Sequence, residues 1–287
     1  MNADPLVTTL IDLARSVTQP DFRLILGGGF GLYLKQLHLQ RQSAIRTLVP
    51  GELWPYPRAT EDLDVFIPTE FLVNLDSMRI LRAALDRLGF VPVERAKFLH
   101  LVKQWPNGWR VKIDMLTGPL PDEAGRTKLK LSAPRVRPRG SLELHAYLTK
   151  EALDIESSLL PLPIDGAGSD GIAGQLTVFV PQAFTFLRMK LHAFADRVND
   201  DQADLGRHHA LDVYRLIAML TEEEQIAVRR GIAKHAASKP IQRAREIAAL
   251  YFSSSSAMGI IRLKEHPLFN ARMQAEAVIN ELAYLFQ

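Results

Sequence analysis

Apolar positions along the chain follow two periods, one helical and one strand-like, and their order predicts the elements. Leu6, Leu10, Leu13 and Val17 recur at helical spacing and predict an amphipathic helix over residues 5–18, with Asp4 as N-cap and Pro5 at its first position. Phe22 to Leu26 reads as a short buried strand, followed by Gly27-Gly28-Gly29 and a helix from Phe30 to about Arg41. Residues 42–58 hold Pro50, Gly51, Pro55 and Pro57 and read as a loop, either a carrier of base or substrate contacts or a surface meander. Residues 76–88 form a helix with Met78, Leu81, Leu85 and Leu88 inward; Phe90 to Glu94 and Phe98 to Lys103 read as strands. Pro106-Asn107-Gly108 predicts a hairpin turn into the strand Trp109 to Leu116. That strand alternates, with Val111, Ile113 and Met115 on one face and Arg110, Lys112 and Asp114 on the other.

The second half changes character. Arg126 to Arg139 reads as an edge strand broken at Pro134. Residues 161–175 are rich in Gly, Pro and Asp and read as the boundary between halves, with Thr177 to Val180 as a last short strand. Pro181 opens a helix whose seam is Phe184, Leu187, Leu191 and Phe194. Thr221 and Glu224 form a capping box for a helix through about Ala237, and helices over about 240–252 and 270–286 follow, with Ser253 to Ser256 as a link. The pattern predicts an α+β fold: a mixed β-sheet flanked by helices over residues 1–165, then a mainly helical region over 176–287.

Composition narrows the class. With 287 residues, 47% hydrophobic and 23% charged, the chain matches a soluble globular protein of one large or two modest domains. It has no cysteine, which excludes disulfides and thiolate metal sites. The N-terminus has no signal-peptide pattern and no apolar run approaches the ~20 residues of a membrane span, so a cytoplasmic, membrane-free protein is expected. Net charge is only +3, but Arg126, Lys128, Lys130, Arg135, Arg137 and Arg139 form a stretch without any acid. Such a field attracts phosphates; lysines on an edge strand also serve merely to prevent self-association.

The candidate chemistry centres on Arg58-Ala59-Thr60-Glu61-Asp62-Leu63-Asp64. In a strand, Asp62 and Asp64 project to the same face, where they either bracket a hard divalent cation or stand as two solvated acids. The glycine turn before a helix places backbone N–H groups where phosphate binds. Asp114 on a neighbouring strand supplies a third carboxylate able to take a proton from an attacking hydroxyl.

This order of strand, Gly-Gly, helix, Asp-x-Asp and a later strand Asp resembles the nucleotidyltransferase superfamily of the polymerase-β type, with a closer likeness to AbiEii-like toxin nucleotidyltransferases. Gly28-Gly29-Phe30-Gly31-Leu32 matches except at Phe30, where the family has a hydroxyl, and Arg58 to Asp64 matches fully. The resemblance covers roughly residues 20–215 and implies a nucleotidyltransferase core followed by an all-helical part. It implies that Asp62, Asp64 and Asp114 hold one or two Mg²⁺ ions and perform catalysis. Gly28, Gly29, Arg58, Thr60, Lys190 and Arg197 would then bind the NTP, with Lys190 on the triphosphate. In Arg207-His208-His209-Ala210-Leu211-Asp212, Asp212 matches the second acid of a family pattern and His209 replaces the first. His208 and His209, adjacent on a helix, cannot both face one zinc. The implied reaction moves an NMP to an acceptor hydroxyl, with RNA such as a tRNA 3′ end as acceptor and an antitoxin protein as partner. Two alternatives stay open: a small-molecule acceptor of the aminoglycoside type, and a non-catalytic nucleotide- or protein-binding module, which Phe30 and His209 favour.

Overall fold

The computed structural model describes residues 4–19, 22–42, 44–58, 60–96, 98–105, 108–120, 127–132 and 134–287. The chain divides into two compact units: Met1–Gly31 with Ala59–Val180, and Leu32–Arg58 with Pro181–Gln287. Among the described residues the first unit holds every strand and the second is helical.

The sheet unit contains β1 (Ile25–Leu26), β2 (Asp62–Phe66), β3 (Val91–Pro92), β4 (His100–Gln104) and β5 (Arg110–Thr117). It continues with β6 (Leu129–Ser132), β7 (Arg135–Pro138), β8 (Ala146–Leu148), β9 (Leu160–Ala167) and β10 (Ala173–Val180). Their order is β6-β7-β8-β5-β2-β1-β10-β9, with β4 also paired to β5 and β3 to β4. The sheet is mixed: β2 and β8 run parallel to β5, whereas β4 runs antiparallel to it. Alternation makes β5 a core strand, because Val111, Ile113 and Met115 are buried on one face while Lys112 and Asp114 occupy the other.

Helix α1 (Pro5–Ser16) packs on β9 and β10, with Val7 and Ile11 close to Gly166 and Ile11 close to Gly174, while Leu6, Leu10 and Leu13 are buried; the Asp4 carboxylate caps it by accepting from the Leu6 N–H. Helix α2 (Gly28–Gln40) begins in the sheet unit and passes into the helical unit after Gly31. Helices α3 (Thr69–Leu72) and α4 (Leu75–Arg87) complete the sheet unit.

The helical unit adds α5 (Ala183–Arg197), α6 (Arg207–Ala218), α7 (Glu222–Lys234), α8 (Lys239–Tyr251), α9 (Met258–Lys264) and α10 (Ala275–Leu285). Helix α6 is its axis, touching α5, α9 and α10. Leu211, Val213, Tyr214, Leu216 and Ile217 are all buried, so α6 has apolar contacts nearly all round. The α5 seam of Phe184, Leu187, Leu191 and Phe194 is buried as its spacing predicts, and both bonds of the Thr221–Glu224 capping box are present.

Several expectations are corrected. Residues 161–175 are not a boundary: they belong to the β9–β10 hairpin, and the sheet unit runs on to Val180. Pro161 and Pro163 fit because β9 is an outer strand, where a missing N–H breaks no ladder. Leu32–Arg58 joins the helical unit rather than the sheet. Arg126 to Arg139 is not one broken strand but the β6–β7 hairpin, and Arg126 lies outside the described residues, as do Pro106 and Asn107 of the expected turn. The first strand shrinks to Ile25–Leu26, α2 starts two residues early at Gly28, and α9 appears beyond the Ser253–Ser256 link, where no element was expected.

Candidate functional site

Parallel pairing of β2 with β5 sets the register: Asp62 stands opposite Lys112, and Asp64 opposite Asp114. Register partners share a face, so Asp62, Asp64, Lys112 and Asp114 lie together on the face away from Leu63, Val65 and Ile113. On the other side of β5, His100 is the register partner of Asp114 and its Nδ1 lies 2.5 Å from the Asp114 carboxylate. The pairing places the Asp114 strand directly beside the Asp-x-Asp strand.

Asp64 sits against the start of α2. The Gly27 N–H donates to the Asp64 carbonyl at 2.8 Å. A Cβ placed on Gly28 would lie 1.6 Å from Asp64 Oδ2, and Gly28 has φ +58, so both space and backbone require glycine there. Gly29 is buried in the same turn, and Phe30 is a core side chain. The Thr60 hydroxyl is engaged locally, within 3.3 Å of the Asp62 N–H, and shapes the entry to β2.

Lys112 was not singled out by sequence reasoning, yet it organises this face. Its ammonium lies 3.3 Å from Asp62 and 3.1 Å from Asp114. Burial alone would lower its pKa; the charges of Asp114 and Asp62 outweigh burial and hold it above the ordinary lysine value. Its alternation with Asp114 on one strand was the available signal. This bears on the magnesium expectation. Among the described residues no group of three His, Asp or Glu side chains is placed to hold one ion. The Lys112 ammonium stands between Asp62 and Asp114, where a shared cation would have to sit, so as arranged the three carboxylates do not fit a common metal.

The remaining candidates lie in the helical unit. Lys190 on α5 is buried and its ammonium lies 2.7 Å from Asp212 on α6. Arg215 lies 3.3 Å and Arg58 3.7 Å from the same carboxylate. Burial would raise the Asp212 pKa, but the charges of Lys190, Arg215 and Arg58 overcome it and hold the carboxyl well below the usual range. Arg215 is further fixed by Gln36 Oε1, which accepts from its Nε at 3.0 Å and its Nη2 at 2.8 Å. Burial, and then the Lys190 charge, push His209 down to about 3, so it is neutral at pH 7. Arg197, seven residues beyond Lys190, is exposed and donates to the Ala193 carbonyl of its own helix. Gln36, Arg215 and the buried Lys35, whose ammonium lies 2.5 Å from Glu224, were also missed, because helical polar residues without a motif read as solvated faces.

The β6–β7 hairpin gathers the basic stretch. Lys130 is the register partner of Arg137, and the Arg139 N–H donates to the Lys128 carbonyl. Lys128, Lys130, Arg135, Arg137 and Arg139 therefore share one face of the hairpin, with Tyr147 on β8 opposite Arg135. Leu129, Val136 and Pro138 are buried on the other face.

No described helix is long and apolar enough to cross a membrane. Compared with protein-family models and with curated proteins, the chain matches none. Among solved structures it is similar to the Bradyrhizobium diazoefficiens CD-NTase CdnG in complex with GTP, at 13% identity over 99% of this chain and 91% of that chain, with a TM-score of 0.19.

Proposed function

We propose that the chain is a nucleotidyltransferase that moves an NMP from an NTP to an acceptor hydroxyl. One observation carries the reading: Asp64 and Asp114 are register partners on adjacent parallel strands, with Asp62 on their face and the start of α2 closed on Asp64 through Gly28. The backbone N–H groups at that helix start receive phosphate. Asp114, held by His100, takes the acceptor proton. The acceptor oxygen bonds to the α-phosphorus as the bond to the β-phosphate oxygen breaks, releasing pyrophosphate. The Lys112 ammonium, shared by Asp62 and Asp114, reduces the repulsion that those carboxylates present to the phosphates. The NTP enters with Mg²⁺ as its counter-ion, and we assign no step to that ion, because Lys112 stands between the carboxylates that would share it.

Within the helical unit, Arg58 and Arg197 are the phosphate contacts of this reading, and Lys190 stands behind them on Asp212 rather than on the phosphate itself. Support comes from charge: the single Asp212 carboxylate faces Lys190, Arg215 and Arg58, a surplus of cations that an anion offsets. RNA is the favoured acceptor, because Lys130 and Arg137 stand directly opposite each other, a repulsive pairing that a polyanion relieves. The toxin-like role and an antitoxin partner follow the AbiEii-like resemblance only. A second reading, a non-catalytic nucleotide- or protein-binding module, is favoured by the Lys112 bridge.

Incubation with each radiolabelled NTP, Mg²⁺ and total RNA tests the proposal. Label on RNA that is lost in Asp64→Asn supports it; label on small molecules moves the acceptor to the aminoglycoside-type class. NTP binding without transfer to any acceptor leaves the binding module as the better reading.

A further inference from the structure

The loop 42–58 in the helical unit builds two adjoining cavities of about 500 and 560 Å³ that meet at Gln40, Gly51, Glu52 and Trp54. The loop is anchored rather than draped. The Leu48 and Val49 N–H groups donate to the Leu220 and Ala218 carbonyls at 2.8 and 3.0 Å, at and just past the C-terminal end of α6. Trp54 Nε1 donates to the Val49 carbonyl at 2.8 Å, and Gln36 Nε2 to the Pro55 carbonyl at 3.0 Å. Between Pro55 and Pro57, Tyr56 is nevertheless 82% exposed. An aromatic ring held this far into solvent by a pinned backbone has lost chain entropy without burying its own surface.

Each cavity carries the same set of groups. The indole of Trp54 and the Glu52 carboxylate are common to both; Arg272 and Asn270 complete one, Arg46 and Gln42 the other. One carboxylate per cavity is too few for a hard cation, and a guanidinium and amides set among apolar surface suit a ligand that is both aromatic and charged better than a lipid. An aromatic face, amides with a carboxylate to pair a base edge, and a guanidinium for phosphate are what a nucleotide requires. Two such cavities sharing one indole match two successive nucleotides better than one free nucleotide.

We propose that this face of the helical unit binds a single-stranded nucleic acid, with bases stacking on Trp54 and Tyr56 and phosphates meeting Arg46 and Arg272. The site uses no residue of the carboxylate face and stands whether or not that face transfers nucleotides. The test is fluorescence anisotropy of labelled hexauridylate and hexaadenylate titrated with the full chain, its Tyr56→Ala, Arg272→Ala and Asp64→Asn variants, and an Arg135→Glu/Arg137→Glu hairpin variant. Tyr56→Ala should weaken binding about fivefold to hundredfold, the range of one lost base stack. Its melting should match the parent, since the ring is exposed, and Asp64→Asn should bind normally even if transfer is lost. Parent-like affinity in Tyr56→Ala and Arg272→Ala, with loss only in the hairpin variant, would overturn the site. Free UMP competing as well as the oligomer, mole for mole, would overturn the assignment to a strand.

Discussion

The Lys190 ammonium lies 2.7 Å from the Asp212 carboxylate, a cation on α5 paired with a fully buried acid on α6. A lysine waiting in solvent for phosphate would tolerate removal, with a stability change within about 0.5 kcal/mol. The observed pair implies otherwise. Breaking a buried pair from one side costs up to roughly 3–5 kcal/mol, reduced here because Arg215 and Arg58 still face Asp212. Lys190→Met should therefore lower the urea midpoint clearly, and adding Asp212→Asn should lower it further, because the buried Arg215 then loses its carboxylate. Parent-like unfolding of Lys190→Met would return Lys190 to the surface role.

His209 gives the helical unit a pH dependence whose sign is fixed. Its folded value of about 3 lies below the ordinary 6.5, so between those values the unfolded chain binds a proton that the folded chain refuses. Stability therefore rises with pH across this window and falls on acidification, at up to about 1.4 kcal/mol per pH unit for one proton. Asp212 acts in the same direction at lower pH: its folded value is depressed, so its contribution is present above the ordinary carboxylate value and is lost only further into acid. His209→Gln, neutral at every pH, should flatten the urea midpoint between pH 6.5 and 4.5. An unchanged slope would place the linkage on other groups, with His266, lowered to about 4, as the next candidate.

How much of this was legible in the sequence varies by residue. Asp62, Asp64 and Asp114 were readable because period-two alternation fixes which side chains share a strand face, and one register then aligns two strands. Lys112 obeyed the same alternation and was overlooked, since a lysine beside an acid reads as solvated charge. The β9 strand was hidden by composition: Pro161 and Pro163 look like loop residues until the strand is known to lie at the sheet's edge. The burial of Lys190 was not legible at all. It depends on which face of α6 meets α5, and no local pattern records that packing.

The hairpin predicts a salt-dependent interaction. Lys128, Lys130, Arg135, Arg137 and Arg139 share a face, so they meet one polyanion together. Arg135→Glu with Arg137→Glu should weaken RNA binding and flatten the slope of log affinity against log salt by about 0.7 for each lost phosphate contact to a single strand. Filter binding from low to moderate salt reads both. An unchanged slope would leave these cations as protection of an edge strand.

Gly28 makes a steric prediction. Alanine there must adopt φ +58, which costs an L-residue about 1–2 kcal/mol, and its Cβ would overlap Asp64 Oδ2. Gly28→Ala should lower stability by at least that amount and turn the Asp64 carboxylate away. Gly28→Ala with Asp64→Ala should regain the steric part but not the backbone part. If Gly28→Ala melts as the parent does, α2 does not begin against Asp64.

The last prediction concerns the cation already on the carboxylate face. Lys112 neutralises Asp62 and Asp114 from 3.3 and 3.1 Å, the place a divalent ion would need. Ammonium and ion therefore compete for the same charge. Lys112→Met keeps the length of the chain but removes the competitor, leaving carboxylates that repel each other and attract a hard cation. Without added metal the variant should melt below the parent. Added Mg²⁺ should then raise its melting temperature, since a ligand at 100 times its Kd adds about 2.7 kcal/mol of stability. The parent should respond only at higher Mg²⁺, and Lys112→Met with Asp62→Asn should lose the response. Thermal melts over a Mg²⁺ series with constant ionic strength separate these cases. A parent that Mg²⁺ stabilises as readily as Lys112→Met would mean that Lys112 does not compete for the site, and the three carboxylates would again stand as a metal-binding set.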